Sequence, residues 1–215
     1  MIEFKQVSKK YPTGQLALYN VNLTLEAGEM VFITGHSGAG KSTLLKLVAM
    51  LERPSKGEVL IGGRSLSKLG KSQIPNYRRR IGFIFQDPHL LYDRSVFDNI
   101  ALPLLISGMG QADIRRRVHA ALDKVGMVDK EKTFPLMLSA GEKQRVGIAR
   151  AMVNKPTIIL ADEPTGNLDP ELSQDIMFTF AQFNELGATV MIASHDHALV
   201  DRMKKRTIVL QKVES

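Results

Sequence analysis

The sequence predicts an α/β protein in which a parallel-sheet core follows an N-terminal antiparallel β region and is interrupted by an inserted helical subdomain. Three observations point there. Short apolar runs at Met30–Thr34, Thr157–Ala161 and Ala188–Ala193 lack polar alternation and suit strands buried on both faces. Between the first two runs, from Asp87 to about Asn154, apolar residues recur at helical spacing. A glycine-rich loop joins the first run to a helical pattern, the arrangement of a strand–loop–helix unit in an open α/β sheet.

Taken in chain order, residues 1–34 are β-rich. Val21, Leu23 and Leu25 alternate with polar residues before a turn at Ala27-Gly28-Glu29. Leu44, Leu45, Val48 and Leu51 fall on one helix face. Glu58 to Gly63 reads as a strand entering a turn, and Ile81 to Phe85 as another short strand. In the insertion, Ile114, Val118, Leu122 and Val125 share a face, with Arg115, Arg116 and Arg117 opposite. Arg206 to Leu210 reads as a final strand. No repeat, low-complexity tract or linker divides the chain. One domain is expected, with its core in 1–87 and 155–215 and the helical subdomain at about 88–154.

Composition narrows the function classes. With 215 residues, 44% hydrophobic and 24% charged, the chain has the makeup of a globular domain rather than a disordered or fibrous one. Cysteine is absent, which excludes disulfides, thiolate metal sites and cysteine nucleophiles and fits a reducing compartment. The apolar run Ile100–Ile106, which contains Pro103, is far short of the ~18 residues a membrane span needs. The opening Met1-Ile-Glu-Phe-Lys5 carries no apolar secretory region, so no signal peptide is expected. Lys and Arg number 29 against 22 Asp and Glu, a net charge of +7 that is compatible with nucleic acid or with an anionic membrane surface.

Gly35-His36-Ser37-Gly38-Ala39-Gly40-Lys41-Ser42 matches G-x-x-x-x-G-K-[ST] in full, with a strand before it and a helix after it. Glycines let the backbone wrap around a phosphate, and the exposed N–H groups and helix N-terminus aim positive potential at it. Lys41 is placed for the β- and γ-phosphates and the Ser42 hydroxyl for Mg²⁺. The motif implies a nucleoside triphosphate. Farther on, Ile158-Ile-Leu-Ala-Asp162-Glu163 is an apolar strand ending in two carboxylates. Asp162 suits a Mg²⁺ role through water, and Glu163 suits a general base that polarises attacking water. His195 follows the buried run ending at Ala193 and is positioned to bond a γ-phosphate, though a lone histidine there also reads as a surface or capping residue. Gln86, after the Ile81–Phe85 strand, offers an amide to Mg²⁺ or water.

Taken together, these residues resemble the ABC-transporter ATPase family. Leu138-Ser139-Ala140-Gly141-Glu142-Lys-Gln-Arg145 is similar to the family signature L-S-G-G-Q/E and lies upstream of Asp162-Glu163, as it does there. The resemblance spans essentially the whole chain and implies a P-loop NTPase, RecA-like fold that binds and hydrolyses ATP with Mg²⁺. It implies Tyr11 for adenine stacking, the loop Gly35 to Thr43 for phosphate, Gln86 for the Q-loop, Asn167-Leu168-Asp169 for the D-loop and His195 for the switch histidine. It also implies a homodimer in the ATP state, in which Ser139, Ala140, Gly141 and Glu142 of one subunit reach the nucleotide of the other.

Within the family, Gly35–Lys46, Arg79–Gly82, Asp113–Val118 and Asp162–Asp169 look like the ATP-binding proteins of bacterial cell division. The last stretch is shared with lipoprotein-release and macrolide-export ATPases. That subgroup implies a permease-like integral membrane partner, possible further cell-division proteins, and a place at the cytoplasmic face of the bacterial inner membrane, held there through the partner. The resemblance implies that the segment from Pro88 to Leu105 helps form a groove for the membrane partner's cytoplasmic helix, with Leu90, Leu91 and Tyr92 as the expected contacts.

Two departures stand out. Ala140 replaces the usual first signature glycine, and the chain runs only five residues past Leu210, a shorter ending than the family often has. The signature also reads locally as a capping box, with Ser139 at N-cap and Glu142 at N3. A DNA-associated ATPase of the same family would separate its two nucleotide motifs by a long coiled coil. Here Ser42 and Asp162 are 162 − 42 = 120 residues apart, without sustained heptads, so no nucleic acid partner is expected.

Overall fold

The computed structural model describes residues 1–166 and 168–213. In chain order the elements are β1 (Ile2–Lys10), β2 (Leu16–Leu25), β3 (Met30–Thr34), α1 (Lys41–Val48), β4 (Lys56–Ile61), β5 (Arg64–Ser65), α2 (Ile74–Arg78), β6 (Ile81–Ile84) and α3 (Val96–Ile106). There follow α4 (Gln111–Lys124), α5 (Ala140–Met152), β7 (Ile158–Asp162), α6 (Pro170–Glu185), β8 (Thr189–Ala193), α7 (His197–Met203) and β9 (Arg206–Val209), with short 3-10 turns between some of them.

The strands form two sheets. One is antiparallel in the order β2-β1-β4-β5, and the other is parallel in the order β6-β7-β8-β3-β9. This is the fold class the sequence predicts, with one refinement. The antiparallel sheet is not confined to the N-terminus, because β4 and β5 come back to extend it while β3 leaves for the parallel sheet.

The parallel strands are apolar throughout because both of their faces are covered. Alternate residues sort into two hydrophobic clusters, as the period of two along a strand requires. Met30 and Phe32, Ile159 and Ala161, and Val190 and Ile192 face a cluster shared with α3, α4, α5 and α6. Val31 and Ile33, Ile158 and Leu160, and Met191 and Ala193 face a cluster shared with α1 and the antiparallel sheet. Complete burial of each of the larger of these side chains (Val, Leu, Ile, Phe, Met) contributes about 1.5–3 kcal/mol, and the alanines contribute less. The sheet thus holds the antiparallel layer and the phosphate-loop helix on one side, and α3, α4, α5 and α6 on the other.

Local patterning is borne out with small shifts. Ile114, Val118 and Leu122 are buried on α4, whereas Arg115 and Arg116 are exposed and Arg117 is half-buried. Leu51, expected on the face of α1, is instead 42% exposed beyond its end. Met50 takes a left-handed conformation (φ 54°), and the N–H groups of Met50 and Leu51 donate back to the Leu47 and Lys46 carbonyls. That pattern is a Schellman stop, which ends the helix before Leu51 can join its apolar face. Leu90, expected at a partner surface, is a core residue at 6% exposure because its side chain packs among the inserted helices. Its neighbours Leu91 and Tyr92 are exposed. Among the described residues, no helix is long and apolar enough to cross a membrane.

Candidate active site

β3 ends at Thr34 and the chain loops over Gly35–Gly40 before α1 begins at Lys41. Two glycines in this loop are required by close approach. Gly40 has φ 95°, and a Cβ there would lie 2.4 Å from the Ala17 carbonyl oxygen. At Gly35, φ is 139° and a Cβ would lie 2.4 Å from the Leu210 carbonyl oxygen. The loop is therefore wedged between the antiparallel sheet and the chain leaving β9, positions only glycine can occupy without displacing backbone.

Lys41, the first residue of α1, is 9% exposed, and its Nζ donates to the carbonyls of Gly35 (2.8 Å) and His36 (3.3 Å). The ammonium is thus held over its own loop, where an anion is expected. Ser42 Oγ donates to Asp162 Oδ1 at 2.9 Å. Asp162 sits at the C-terminal end of β7, and β8 lies between β7 and the β3 strand that leads into the loop. A carboxylate 120 residues away thereby meets the phosphate-loop serine at the strand ends where open α/β sheets bind ligands.

Glu163 follows immediately, in a left-handed backbone conformation (φ 51°) with its N–H donated to the Ala193 carbonyl at 2.9 Å. Such a conformation costs a non-glycine residue about 1–3 kcal/mol and persists only where surrounding bonds impose it. Its carboxylate is mostly buried and hydrogen-bonds His195 Nδ1, while the imidazole itself is exposed. His195 is carried past the end of β8, whose register is continued by Ser194 N–H donating to the Ile33 carbonyl (3.1 Å).

A cleft of about 640 Å³ gathers these groups. It is lined by the loop from Ser37 to Thr43, by Tyr11, Gln86, Glu163 and His195, and by Gln15 and Ala17. Tyr11 bonds Thr43 through its hydroxyl at 3.2 Å, and Lys9 Nζ lies 4.9 Å from its ring centroid. Gly35 and His36 are not part of the lining; their carbonyls serve Lys41 instead. Gln15 and Ala17 escaped sequence reasoning. They belong to no motif and reach the cleft because the β1–β2 hairpin folds back, with Tyr11 N–H donating to the Gln15 carbonyl.

The signature residues lie elsewhere. Ser139 is the N-cap of α5, with the expected capping box complete: Ser139 N–H donates to Glu142 Oε2 (2.7 Å) and Glu142 N–H to Ser139 Oγ (3.2 Å). The Ser139 N–H holds the Glu142 carboxyl below the usual carboxylate range. Ser139 and Ala140 are exposed and Gly141 and Glu142 half-buried, and none of the four lines the cleft of their own chain. Asp169, expected at a dimer contact, caps α6 by accepting from the Leu172 N–H at 2.9 Å. Asn167 of the expected D-loop lies outside the described residues.

The oxygens here fit Mg²⁺. Ser42 and Asp162 supply a hydroxyl and a carboxylate, both hard donors, with the Gln86 amide at the cleft wall. Among the described residues, no group of three or more His, Cys, Asp or Glu could hold a metal ion. A site with few protein oxygens suits a cation that keeps waters and takes phosphate oxygens from a nucleotide.

Known proteins share this arrangement. The ABC transporter family model matches residues 18–166. The chain is 56% identical over 210 residues to the cell division ATP-binding protein FtsE of Escherichia coli (strain K12), covering 98% of this chain and 95% of that one. It is 49% identical over 213 residues to FtsE of Haemophilus influenzae, covering 99% and 98%. Among solved structures it superposes on the dimeric bacterial ABC transporter cassette MJ0796 with a TM-score of 0.93 and 38% identity, covering 99% of this chain and 95% of that one. A second structure of that cassette, a post-hydrolysis state bound to ADP and Pi, superposes equally well. With the phosphate loop, the carboxylates and the fold all in agreement, the chain belongs to the ABC transporter family, as an ATPase that uses ATP and Mg²⁺.

Proposed function

We propose that this chain is the ATP-hydrolysing subunit of a bacterial inner-membrane complex that acts in cell division. In this reading, ATP-driven dimerisation is coupled to a permease-like, FtsX-like membrane partner that regulates cell-wall remodelling. The observation that carries the division role is the 56% identity to FtsE over nearly the whole of both chains. The subunit itself sits at the cytoplasmic face of the membrane through that partner, and other cell-division proteins join the assembly.

The residues divide the work as follows. Tyr11 stacks on adenine, and the loop from Gly35 to Thr43 wraps the phosphates with N–H groups and the α1 N-terminus. Lys41 exchanges its carbonyl partners at Gly35 and His36 for β- and γ-phosphate oxygens. Ser42, Asp162 and Gln86 would hold Mg²⁺, which when bound would supply neutralisation of negative charge at the phosphates. Glu163 takes the proton of the attacking water, and His195 holds the Glu163 carboxylate in place while bonding the γ-phosphate. Because Ser139, Ala140, Gly141 and Glu142 sit outside their own cleft, they serve the nucleotide of a second subunit, the N-terminus of α5 facing its γ-phosphate. Asp169 contributes to the same dimer contact. We assign the core to 1–87 and 155–215 and a helical subdomain to about 88–154, whose exposed Leu91 and Tyr92 face the membrane partner.

Ala140 is compatible with this role, since a Cβ fits an exposed first helical turn. Replacing it by glycine (Ala140→Gly) should leave nucleotide affinity unchanged and preserve or raise steady-state turnover. A clear fall in turnover with intact folding would mean that the methyl group is adapted to this site.

The division role is tested by purifying the tagged full-length chain from detergent-solubilised native membranes and identifying what accompanies it by mass spectrometry. A permease-like protein of the division type is expected. Recovery of a lipoprotein-release or macrolide-export permease would favour those relatives, whose Asp162–Asp169 stretch is the same. A DNA-associated role is disfavoured because the residues between Ser42 and Asp162 form short helices, α4 being the longest at 14 residues, with no coiled coil.

A further inference from the structure

Gln144 lies on α5, five residues beyond Ser139, and is 1% exposed. Its Nε2 donates to the backbone carbonyl of Phe85 at 3.2 Å, while its Oε1 is buried with no hydrogen-bond partner. Phe85 is the residue after β6, and the next residue, Gln86, lines the nucleotide cleft. The amide orientation is forced, since turning it over would set oxygen against the Phe85 oxygen. A buried acceptor without a partner is a standing cost that an apolar side chain of the same volume would avoid. Packing alone therefore does not account for glutamine here; the bond to Phe85 does.

The same face of α5 meets the rest of this segment. Gly147 allows Pro88 to lie so close that a Cβ would come within 2.7 Å of the proline Cβ. The Arg150 guanidinium donates to the carbonyls of Pro88 and His89. Gln144, Gly147 and Arg150 are spaced three apart, so one stripe of the helix grips residues 85–89. Of these bonds, the one from Gln144 falls on Phe85, the residue immediately before Gln86.

We infer that Gln144 is a positioning residue for Gln86: by holding the Phe85 carbonyl it sets where the Gln86 amide stands in the nucleotide cleft, from the helix whose N-terminus presents Ser139 and Ala140. The inference rests on the proposed role of Gln86 at Mg²⁺ and the attacking water. Displacement of α5, when its N-terminus meets another subunit's nucleotide, is passed to Gln86 in its own cleft through one hydrogen bond.

The test is a double-mutant cycle in the full-length chain comprising the unsubstituted protein, Gln86→Ala, Gln144→Met and the pair. The readouts are kcat and KM for Mg-ATP, affinity for a fluorescent ATP analogue, and the thermal midpoint. Methionine keeps the volume and removes the donor. Each single variant should lower kcat by about tenfold with nucleotide affinity and midpoint nearly unchanged, and the pair should be no slower than the slower single, the non-additivity of residues acting through one another. If the losses multiply, or if Gln144→Met keeps normal kcat, the inference is wrong while the reading of Gln86 stands. If Gln86→Ala itself turns over normally, that reading fails and this inference with it. Should Gln144→Met not fold, Gln144→Asn, whose amide falls one methylene short of Phe85, must show the same non-additive loss.

Discussion

Glu163→Gln should bind ATP with normal affinity, lose about 10²–10⁴-fold in turnover, and accumulate as a nucleotide-bound dimer. The substitution is nearly isosteric, so the left-handed turn held by the Glu163 N–H to the Ala193 carbonyl survives. What disappears is the carboxylate proposed to accept a proton. An amide still bonds His195 and can accept a hydrogen bond from water, but it cannot take water's proton as a base. ATP then stays unbroken between two subunits, and binding energy that normally ends with hydrolysis keeps the closed state populated. Single-turnover hydrolysis and size-exclusion chromatography with and without ATP check both halves. Normal hydrolysis by this variant would show that the base has been misassigned.

Lys41→Ala should reduce ATP affinity by about 10- to 100-fold, the value of charge-assisted hydrogen bonds to phosphate at about 1.5–3 kcal/mol. The side chain is almost wholly buried against the loop, and its ammonium is already aimed by the Gly35 and His36 carbonyls. Little ordering therefore remains when phosphate arrives, which is why its loss falls on binding. Equilibrium titration with a fluorescent nucleotide measures the effect, and the thermal midpoint separates it from unfolding. Retained tight binding would transfer the phosphate role to the loop N–H groups alone. The two variants differ in kind: one weakens binding, and the other permits binding and blocks the step after it.

The chemistry was legible along the chain because its parts are local. The phosphate loop needs glycine at Gly35 and Gly40 for backbone approach, with a lysine and a serine at fixed offsets, so its spacing is visible without a fold. The buried strands were legible from apolar runs, and the cap of α5 from Ser139 and Glu142 three residues apart. The errors fell where tertiary packing or chain reversal intervened. Leu90 reads like its exposed neighbours Leu91 and Tyr92, yet it is in the core, because only the packing of the helices decides which of three adjacent apolar residues turns inward. Leu51 fits the helix period but follows a backbone stop at Met50 that no glycine announces.

Along the linear chain, then, the order of residues settles that a nucleoside triphosphate is bound and that the fold is of the α/β class. These follow from short-range stereochemistry: glycine conformations, strand and helix periods, and charge at a helix end. Relations between distant segments required the folded chain. It joins Ser42 to Asp162, pairs Glu163 with His195, brings Gln15 and Ala17 to the cleft, and ties Gln144 to the residue before Gln86. The physical reason is that the order of strands in a sheet, β6-β7-β8-β3-β9, is set by which buried faces pack best together. No local pattern encodes that order, and the site lies across it.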